Sequence, residues 1–250
     1  MPASALDAAP LPSLKPRSGP RIPDGLLLYA IGDIHGRLDL LGRLHQIIRQ
    51  DADGRGARDR VIVYLGDYVD RGPDSAGVID LLIEPPLPGF RRIALRGNHE
   101  AFLLRFLEDP SVGADWLLYG GIETVASYGV EFSADLASLR QHLLRALPAT
   151  HRRFLEGLAL MHEEGDYAFV HAGVRPGIPL ARQSDEDLVW IRSDFLNSPC
   201  IHEKIIVHGH SITRSPEVMP NRIGIDTGAF MTGQLTSLVL EGNSRRFLTT

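Results

Sequence analysis

Short apolar runs alternate with segments of helical periodicity in the first part of the chain. The runs "LLLYAI" (26–31), "RVIVYL" (60–65) and "FRRIAL" (90–95) have the length and composition of buried β-strands. Between and after them, apolar residues recur at helical spacing from Leu38, in "SAGVIDLLI" and in "EAFLLRFLE". This alternation predicts an α/β domain with helices on the faces of a sheet.

The second part of the chain has a different pattern. Residues 110–157 are predicted to be helical throughout and to form a helical insertion near the functional site. Four strand-like runs follow, with "DEDLVWIRSDFL" as a helical excursion among them; the runs are "YAFVHAGV", "EKIIVHGHS", "RIGIDTG" and "LTSLVLEG". We interpret these runs as a second sheet stacked on the first, so that residues 24–250 form a single domain.

The N-terminal segment 1–23 holds six of the 17 prolines and few large apolar residues. This composition is typical of a disordered tail. A docking peptide, or an arm that reaches a second subunit, is the alternative interpretation.

Composition limits the functional classes. The length of 250 residues suits one substantial α/β domain, and the net charge of −5 argues against nucleic acid as a partner. The single cysteine, Cys200, excludes an intrachain disulfide and a cysteine-rich zinc site. Apolar runs near the start are too short to span a membrane, and no secretory signal is recognisable, so we expect no membrane partner and a cytoplasmic location.

Five short segments combine glycine with metal-binding residue types, and each follows an apolar run. They are "GDIHG" (32–36), "GDYVDRG" (66–72), "GNHE" (97–100), "HAG" (171–173) and "HGH" (208–210). One such segment alone is more often an ordinary turn. Five of them at predicted strand ends can converge on one cleft, where loops carry function on a rigid scaffold.

The resulting ligand types are carboxylate, amide and imidazole without thiolate. Such a mixed oxygen and nitrogen shell suits manganese, iron or zinc better than calcium. Six ligands are too many for one tetrahedral zinc ion, whereas one bridging carboxylate would divide them between two ions.

The segments "GDIHG", "GDYVDRG" and "GNHE" resemble the three signature motifs of the phosphoprotein phosphatase family, within the calcineurin-like metallophosphoesterases. "HAG" and "HGHS" resemble the last two histidine ligands. The short length, the segment "WLLYGGIETVASYG" (116–129) and the ending "IDTGA" resemble the compact bacterial branch. The resemblance implies a four-layer α/β/β/α sandwich of two mixed sheets, with the site at the carboxyl ends of the strands.

The resemblance also implies residue roles. Asp33 and His35 would hold the first ion and Asp67 would bridge both. The second ion would be held by Asn98, His171 and His210. The two ions are expected to be Mn²⁺, with iron or zinc as alternatives.

His99 would be the general acid, oriented by Asp70, and three arginines would bind the substrate phosphate: Arg71, Arg96 and Arg192. In this chemistry two ions about 3.5–4 Å apart would share a bridging hydroxide that attacks the phosphorus in line. Arginine offers a planar fork that matches phosphate oxygens.

Some nearby residues have plainer interpretations. His208 lies two residues before His210, and only one of the two is expected to be a ligand; the family position favours His210. Glu100 is expected to cap the following helix rather than to bind metal. Four arginines are expected to lie on solvated helix faces: Arg140, Arg145, Arg152 and Arg153.

Three functions remain open at this point. The first is a phosphatase of phosphoserine and phosphothreonine, with phosphotyrosine as a further candidate. The second is a hydrolase of bis(5′-nucleosyl) tetraphosphates, a branch whose second motif usually lacks the aspartate found here at Asp70. The third is a metal-bound scaffold without activity, against which the full ligand set and His99 argue.

Overall fold

The computed structural model describes residues 19–84 and 87–250, and the strands of these ranges form two five-stranded sheets. The first sheet has the order β10-β9-β1-β2-β3, and the second has the order β4-β5-β6-β8-β7. In chain order the strands are β1 Leu26–Ile31, β2 Asp59–Tyr64, β3 Phe90–Ala94, β4 Met161–Glu164, β5 Tyr167–Val170, β6 Ile205–His208, β7 Glu217–Val218, β8 Arg222–Gly224, β9 Thr236–Glu241 and β10 Ser244–Thr249.

Each sheet contains three neighbouring parallel strands. They are β1, β2 and β3 on one side of the first sheet, where antiparallel β9 borders β1, and β5, β6 and β8 in the middle of the second sheet, between antiparallel β4 and β7. Parallel strands are buried on both faces and read as continuous apolar runs, which is why "LLLYAI" is buried at every position.

The helices are mostly short after the first three. They are α1 Leu38–Asp53, α2 Ser75–Ile83, α3 Asn98–Glu108, α4 Gly113–Trp116, α5 Ile122–Ser127, α6 Leu136–Ala146, α7 Ala149–Glu156, α8 Asp185–Trp190, α9 Ser193–Leu196 and α10 Ala229–Thr232. Among the described residues, none of these helices has the length and hydrophobicity needed to cross a membrane.

Alternate residues of the strands belong to different apolar layers. In β1, Leu28 and Ala30 pack between the sheets, together with Phe169 of β5 and Val207 of β6. Tyr29, on the opposite face of β1, belongs to the core that the first sheet forms with α1, α2, α3 and the helices of residues 113–156. A third cluster joins the outer face of the second sheet to α8 and α9. The predicted four-layer sandwich with a helical insertion is therefore confirmed.

One strand lies in the other sheet from the one predicted. The run "LTSLVLEG" forms β9, which pairs with β1 of the first sheet rather than with the second sheet. Our interpretation of the whole second half as one sheet is wrong at this strand. The run is buried on both faces, so its pattern does not indicate the neighbour with which it pairs.

The end of segment 1–23 contacts the sandwich, while residues 1–18 of the predicted tail lie outside the described ranges. The Ile22 amide donates to the Gly242 carbonyl (3.0 Å), and the Arg21 amide donates to Asp166 (3.0 Å). The Ile22 side chain is fully buried in the layer between the sheets. The packed part of the chain therefore includes residues before Asp24.

Replacing Ile22 by alanine is expected to lower the free energy of unfolding by about 2–5 kcal/mol, because the change leaves a cavity between the sheets. Denaturant unfolding measures the loss. The matched control is Ile201→Ala, since Ile201 is 70% exposed and its truncation is expected to change stability by no more than about 0.5 kcal/mol. Equal effects of the two changes would show that Ile22 does not pack as described.

Candidate active site

The loops after five strands meet at one end of the sandwich. Asp33 follows β1, Asp67 follows β2, and Asn98 follows β3, while His171 follows β5 and His210 follows β6. These five residues thus come from both sheets, and contacts across the sheets bring them together. The His210 amide donates to the Asp33 carboxylate (3.0 and 3.1 Å), and Asn98 Oδ1 lies 2.9 Å from His171 Nε2.

The Asp67 carboxylate lies between two groups of imidazoles. Its Oδ2 is 3.6 Å from His35 Nε2 and 3.9 Å from His99 Nε2, and its Oδ1 is 3.4 Å from His171 Nε2. Two triads have ligand atoms that all lie within 4.8 Å of one another: His35, Asp67 and His99, and Asp67, His171 and His210. Asp67 is the member that the triads share, which suits a bridging ligand.

The backbone is strained at the site. Five non-glycine residues of the described chain have positive φ, and all are among the sequence-predicted site residues: His35 (48°), Asp67 (54°), Asp70 (71°), Arg71 (69°) and His210 (61°). Such conformations cost of order 1–3 kcal/mol each and persist only where the surroundings enforce them. Their concentration here supports a functional site.

Two glycines make room for the carboxylates. A Cβ on Gly97 would lie 2.1 Å from Asp67 Oδ1, and a Cβ on Gly209 would lie 2.0 Å from Asp33 Oδ1. Any side chain at these positions would therefore displace a proposed metal ligand.

Glu100 holds the loop after β2 against the start of α3. Its buried carboxylate accepts bonds from the amides of Gly97 (2.9 Å), Asp67 (2.9 Å), Tyr68 (2.7 Å) and Val69 (3.2 Å). The bond from Gly97 is the predicted helix cap, and the other three extend it. Burial and the charge of Asp67 raise the pKa of Glu100 to about 7, whereas the four donors favour its charged form.

The electrostatics favour metal binding. Burial lowers the pKa of His35 to about 3 and, with help from His171, that of His210 to about 2, so both imidazoles are neutral and available as ligands. Burial opposes the charged form of Asp67, but the surrounding histidines lower its pKa well below the ordinary value. His210 Nε2 is buried without a hydrogen-bond partner among the described residues.

Asp226 is a site residue that the sequence analysis missed. It is buried beside Asp33 and accepts a bond from the Gly228 amide (2.8 Å). Burial is the largest cause of the raised pKa of Asp33, and the charge of Asp226 is the second. Asp226 lies two residues beyond β8, within "IDTGA". Its position after a buried strand was a usable signal, because the other carboxylates occupy equivalent positions.

His99 and Asp70 form a buried pair beside the two triads. His99 Nδ1 lies 2.7 Å from Asp70 Oδ2, which leaves Nε2 on the side of Asp67. Burial would lower the pKa of His99, but the Asp67 and Asp70 carboxylates outweigh it and raise the pKa above the ordinary value. The arrangement can keep a proton on the imidazole and present it to a reacting group.

The structure brings two of the three predicted arginines to the site. The Arg71 guanidinium lies 2.9 Å from His35 Nε2 and over the Phe230 ring (4.8 Å). Arg192 is the N-cap of α9 and lies close enough to His210 for its charge to contribute to the lowering of the His210 pKa. The two guanidinium groups thus flank the opposite triads.

Arg96 is not brought together with them. Its guanidinium donates to the Glu156 carbonyl (3.1 Å) and lines a cleft between α3 and α7. The motif places its backbone next to Gly97, but the side chain follows the helical insertion, whose position the motif does not encode. We therefore leave Arg96 out of the phosphate-binding set.

The structure also shows where His208 and the arginines of the helical insertion lie. His208 is buried against the Phe195 ring and its Nδ1 lies 3.0 Å from the Gly209 carbonyl, so His210 and not His208 joins a triad. Arg145 donates to the Gln141 carbonyl of its own helix, and Arg152 pairs with Glu156 on an exposed face. Arg140 differs from the expected solvated face, because it is half-buried and donates to the Leu107 carbonyl of α3.

The family model for "Calcineurin-like phosphoesterase" matches residues 26–221, and the chain belongs to that family. Serine/threonine-protein phosphatase 2 of Escherichia coli is 26% identical over 220 residues, which cover 84% of this chain and 90% of the relative. An asymmetrical bis(5′-nucleosyl)-tetraphosphatase of Bacillus velezensis is 28% identical over 225 residues, which cover 82% and 86%.

The fold is also found among solved structures. The crystal structure of a proposed diadenosine tetraphosphatase aligns with a TM-score of 0.62 and 22% identity, over 94% of this chain and 96% of that one. At this identity the likeness concerns the fold alone.

The ligand assignment predicts which histidine change removes metal. His210→Ala is expected to bind one ion fewer per chain, because it removes a ligand of one triad, while His208→Ala is expected to keep the full complement. Asp67→Asn is expected to lose most of the metal at both positions, since it removes negative charge from the ligand that the triads share. Elemental analysis after reconstitution measures the content. Full metal content in Asp67→Asn would contradict its shared role.

Proposed function

We propose that this calcineurin-like phosphoesterase is a metal-dependent phosphomonoesterase that acts on proteins phosphorylated at serine or threonine, with phosphotyrosine as a further substrate. The observation that carries the proposal is the buried His99–Asp70 pair beside the shared carboxylate of Asp67. It supplies a proton donor at the place where a leaving group would depart.

The residues at the strand ends fit two divalent ions, for which we propose Mn²⁺. Asp33 and His35 would hold one ion, Asn98, His171 and His210 the other, and Asp67 both. Bound there, the ions would supply an activated water and would stabilise charge on the phosphoryl group.

The remaining side chains bind the substrate and move the proton. Arg71 and Arg192 flank the triads and would bind the phosphoryl oxygens, on which negative charge develops. Asp70 holds the imidazole of His99 through Nδ1, so that Nε2 carries the proton toward the departing oxygen.

The nature of the leaving group favours a monoester of an alcohol. A serine or threonine alkoxide departs poorly and benefits strongly from protonation. A nucleotide released from a polyphosphate is a far better leaving group and gains little from a general acid. The buried acid pair therefore supports the phosphoprotein over the dinucleotide as substrate.

Hydrolysis of bis(5′-nucleosyl) tetraphosphates is the second candidate. It is supported by the 28% identical tetraphosphatase relative and by the fold of the proposed diadenosine tetraphosphatase. The two candidates are separated by comparing kcat/KM for phosphoserine, phosphothreonine and phosphotyrosine peptides and for diadenosine tetraphosphate, each with Mn²⁺. We expect the phosphopeptides to be preferred, and a clear preference for the dinucleotide would contradict the proposal.

Leaving-group dependence tests the role of His99. His99→Ala is expected to lower the single-turnover rate on a phosphoserine peptide by about 10²–10⁴-fold, the usual worth of a general acid. It is expected to lower the rate on p-nitrophenyl phosphate far less, because nitrophenolate departs without protonation.

Arg71→Ala is the control for this comparison. Both substrates present the same phosphoryl oxygens, so the loss of Arg71 is expected to affect both rates similarly. Equal losses on both substrates in His99→Ala would refute the acid role and would indicate that His99 binds phosphate or supports the metal ligands.

A further inference from the structure

The helical insertion donates hydrogen bonds to Asp70 of the acid pair. The donors lie outside the five motifs at the strand ends. We call residues 116–124 the buttress segment. It runs from Trp116 at the end of α4, through a wide helical turn at Leu117–Gly121, to Thr124 in α5. Both end residues are fully buried and both contact Asp70.

The two contacts hold the two oxygens of one carboxylate. Trp116 Nε1 donates to Asp70 Oδ2 (3.0 Å), the oxygen that also faces His99 Nδ1, and Thr124 Oγ1 donates to Asp70 Oδ1 (2.6 Å). The Asp70 amide in turn donates to Thr124 Oγ1 (2.8 Å). With both oxygens fixed, the carboxylate cannot rotate about its χ2 torsion without breaking a buried hydrogen bond, which is costly.

The same segment fixes the neighbouring arginine. The Arg71 amide donates to the Gly120 carbonyl (3.0 Å), and Gly120 has φ of 105°. A Cβ at Gly120 would lie 2.7 Å from the Arg71 nitrogen, so this close approach requires glycine. Asp70 and Arg71 both have positive φ, and their strained backbone is thus tied to the insertion.

We propose that Trp116 and Thr124 are positioning residues for the general acid. By fixing the rotation of the Asp70 carboxylate, they hold the imidazole of His99 in place. The proposal rests on the proposed function of His99. It assigns a task in the reaction to part of the helical insertion, whose apolar pattern by itself indicates only packing. Trp116 also stacks on Phe106 (4.8 Å between ring centroids), so its packing and its N–H group can be separated by mutation.

Trp116→Phe keeps an aromatic ring against Phe106 and removes the donor to Asp70, together with the volume of one ring of the indole. We expect it to lower the single-turnover rate on a phosphoserine peptide by about tenfold, less than the loss of the acid itself, and to change the rate on p-nitrophenyl phosphate by less than about twofold. Thr124→Val is expected to show the same selectivity, and Thr124→Ser, which retains the hydroxyl, is expected to restore the wild-type ratio.

Tyr128→Phe is the matched control. Tyr128 lies just after α5 and its hydroxyl bonds to His151 (2.9 Å) rather than to Asp70. Its loss is expected to leave the ratio of the two rates unchanged. Trp116→Phe is also expected to have no further selective effect in a His99→Ala background, since the group that it positions is then gone. A selective loss that persists without His99 would overturn the proposal.

A second measurement does not depend on activity. In Zn²⁺-loaded protein, the His99 Nδ1–H proton facing Asp70 is expected to give a downfield NMR resonance, identified by its absence in His99→Ala. Trp116→Phe is expected to move this resonance and to speed the exchange of the proton with water, while Tyr128→Phe leaves both unchanged. An unchanged resonance and exchange rate in Trp116→Phe would overturn the positioning role. If His99→Ala shows no leaving-group selectivity, the acid role fails, and the resonance alone decides whether Trp116 positions the pair.

Discussion

The arrangement of the site depends on one carboxylate that lies between two groups of imidazoles. Asp67 lies within 3.4–3.9 Å of imidazoles on both sides, and two cations can lie close together only if negative charge lies between them. The position requires a left-handed backbone at Asp67 and a glycine at position 97, whose missing side chain leaves room for the carboxylate. The strained backbone of Asp67 therefore accompanies its place between the triads.

The surrounding fold supplies what this placement needs. Parallel strands deliver loops from both sheets to one end, and Glu100 fixes the loop after β2 by accepting four backbone amides. The helical insertion then holds Asp70 and Arg71 from the other side. The acid pair shares the support that Glu100 gives to the loop after β2 and to the start of α3, and the insertion adds a second support at Asp70.

Much of this was predictable from sequence because the chemistry is local to strand ends. The runs that form β1 and α2 were predicted with their observed bounds, and the five glycine-containing segments do meet. Contacts between segments that are distant in sequence were not predictable. The sheet to which β9 belongs, the burial of Ile22 and the direction of the Arg96 side chain depend on packing between distant segments. Trp116 and Thr124 lie in "WLLYGGIETVASYG", a segment that the family resemblance singled out, but nothing in its sequence indicates which of its side chains contact Asp70.

The central claim is that Asp67 joins two metal ions into one centre. Electron paramagnetic resonance of the Mn²⁺-reconstituted protein tests this most directly, because two ions that share a bridging ligand are magnetically coupled and isolated ions are not. We predict the spectrum of a coupled pair in the wild-type protein and its loss in Asp67→Asn. A spectrum of isolated, uncoupled ions in the fully loaded wild-type protein would contradict the account.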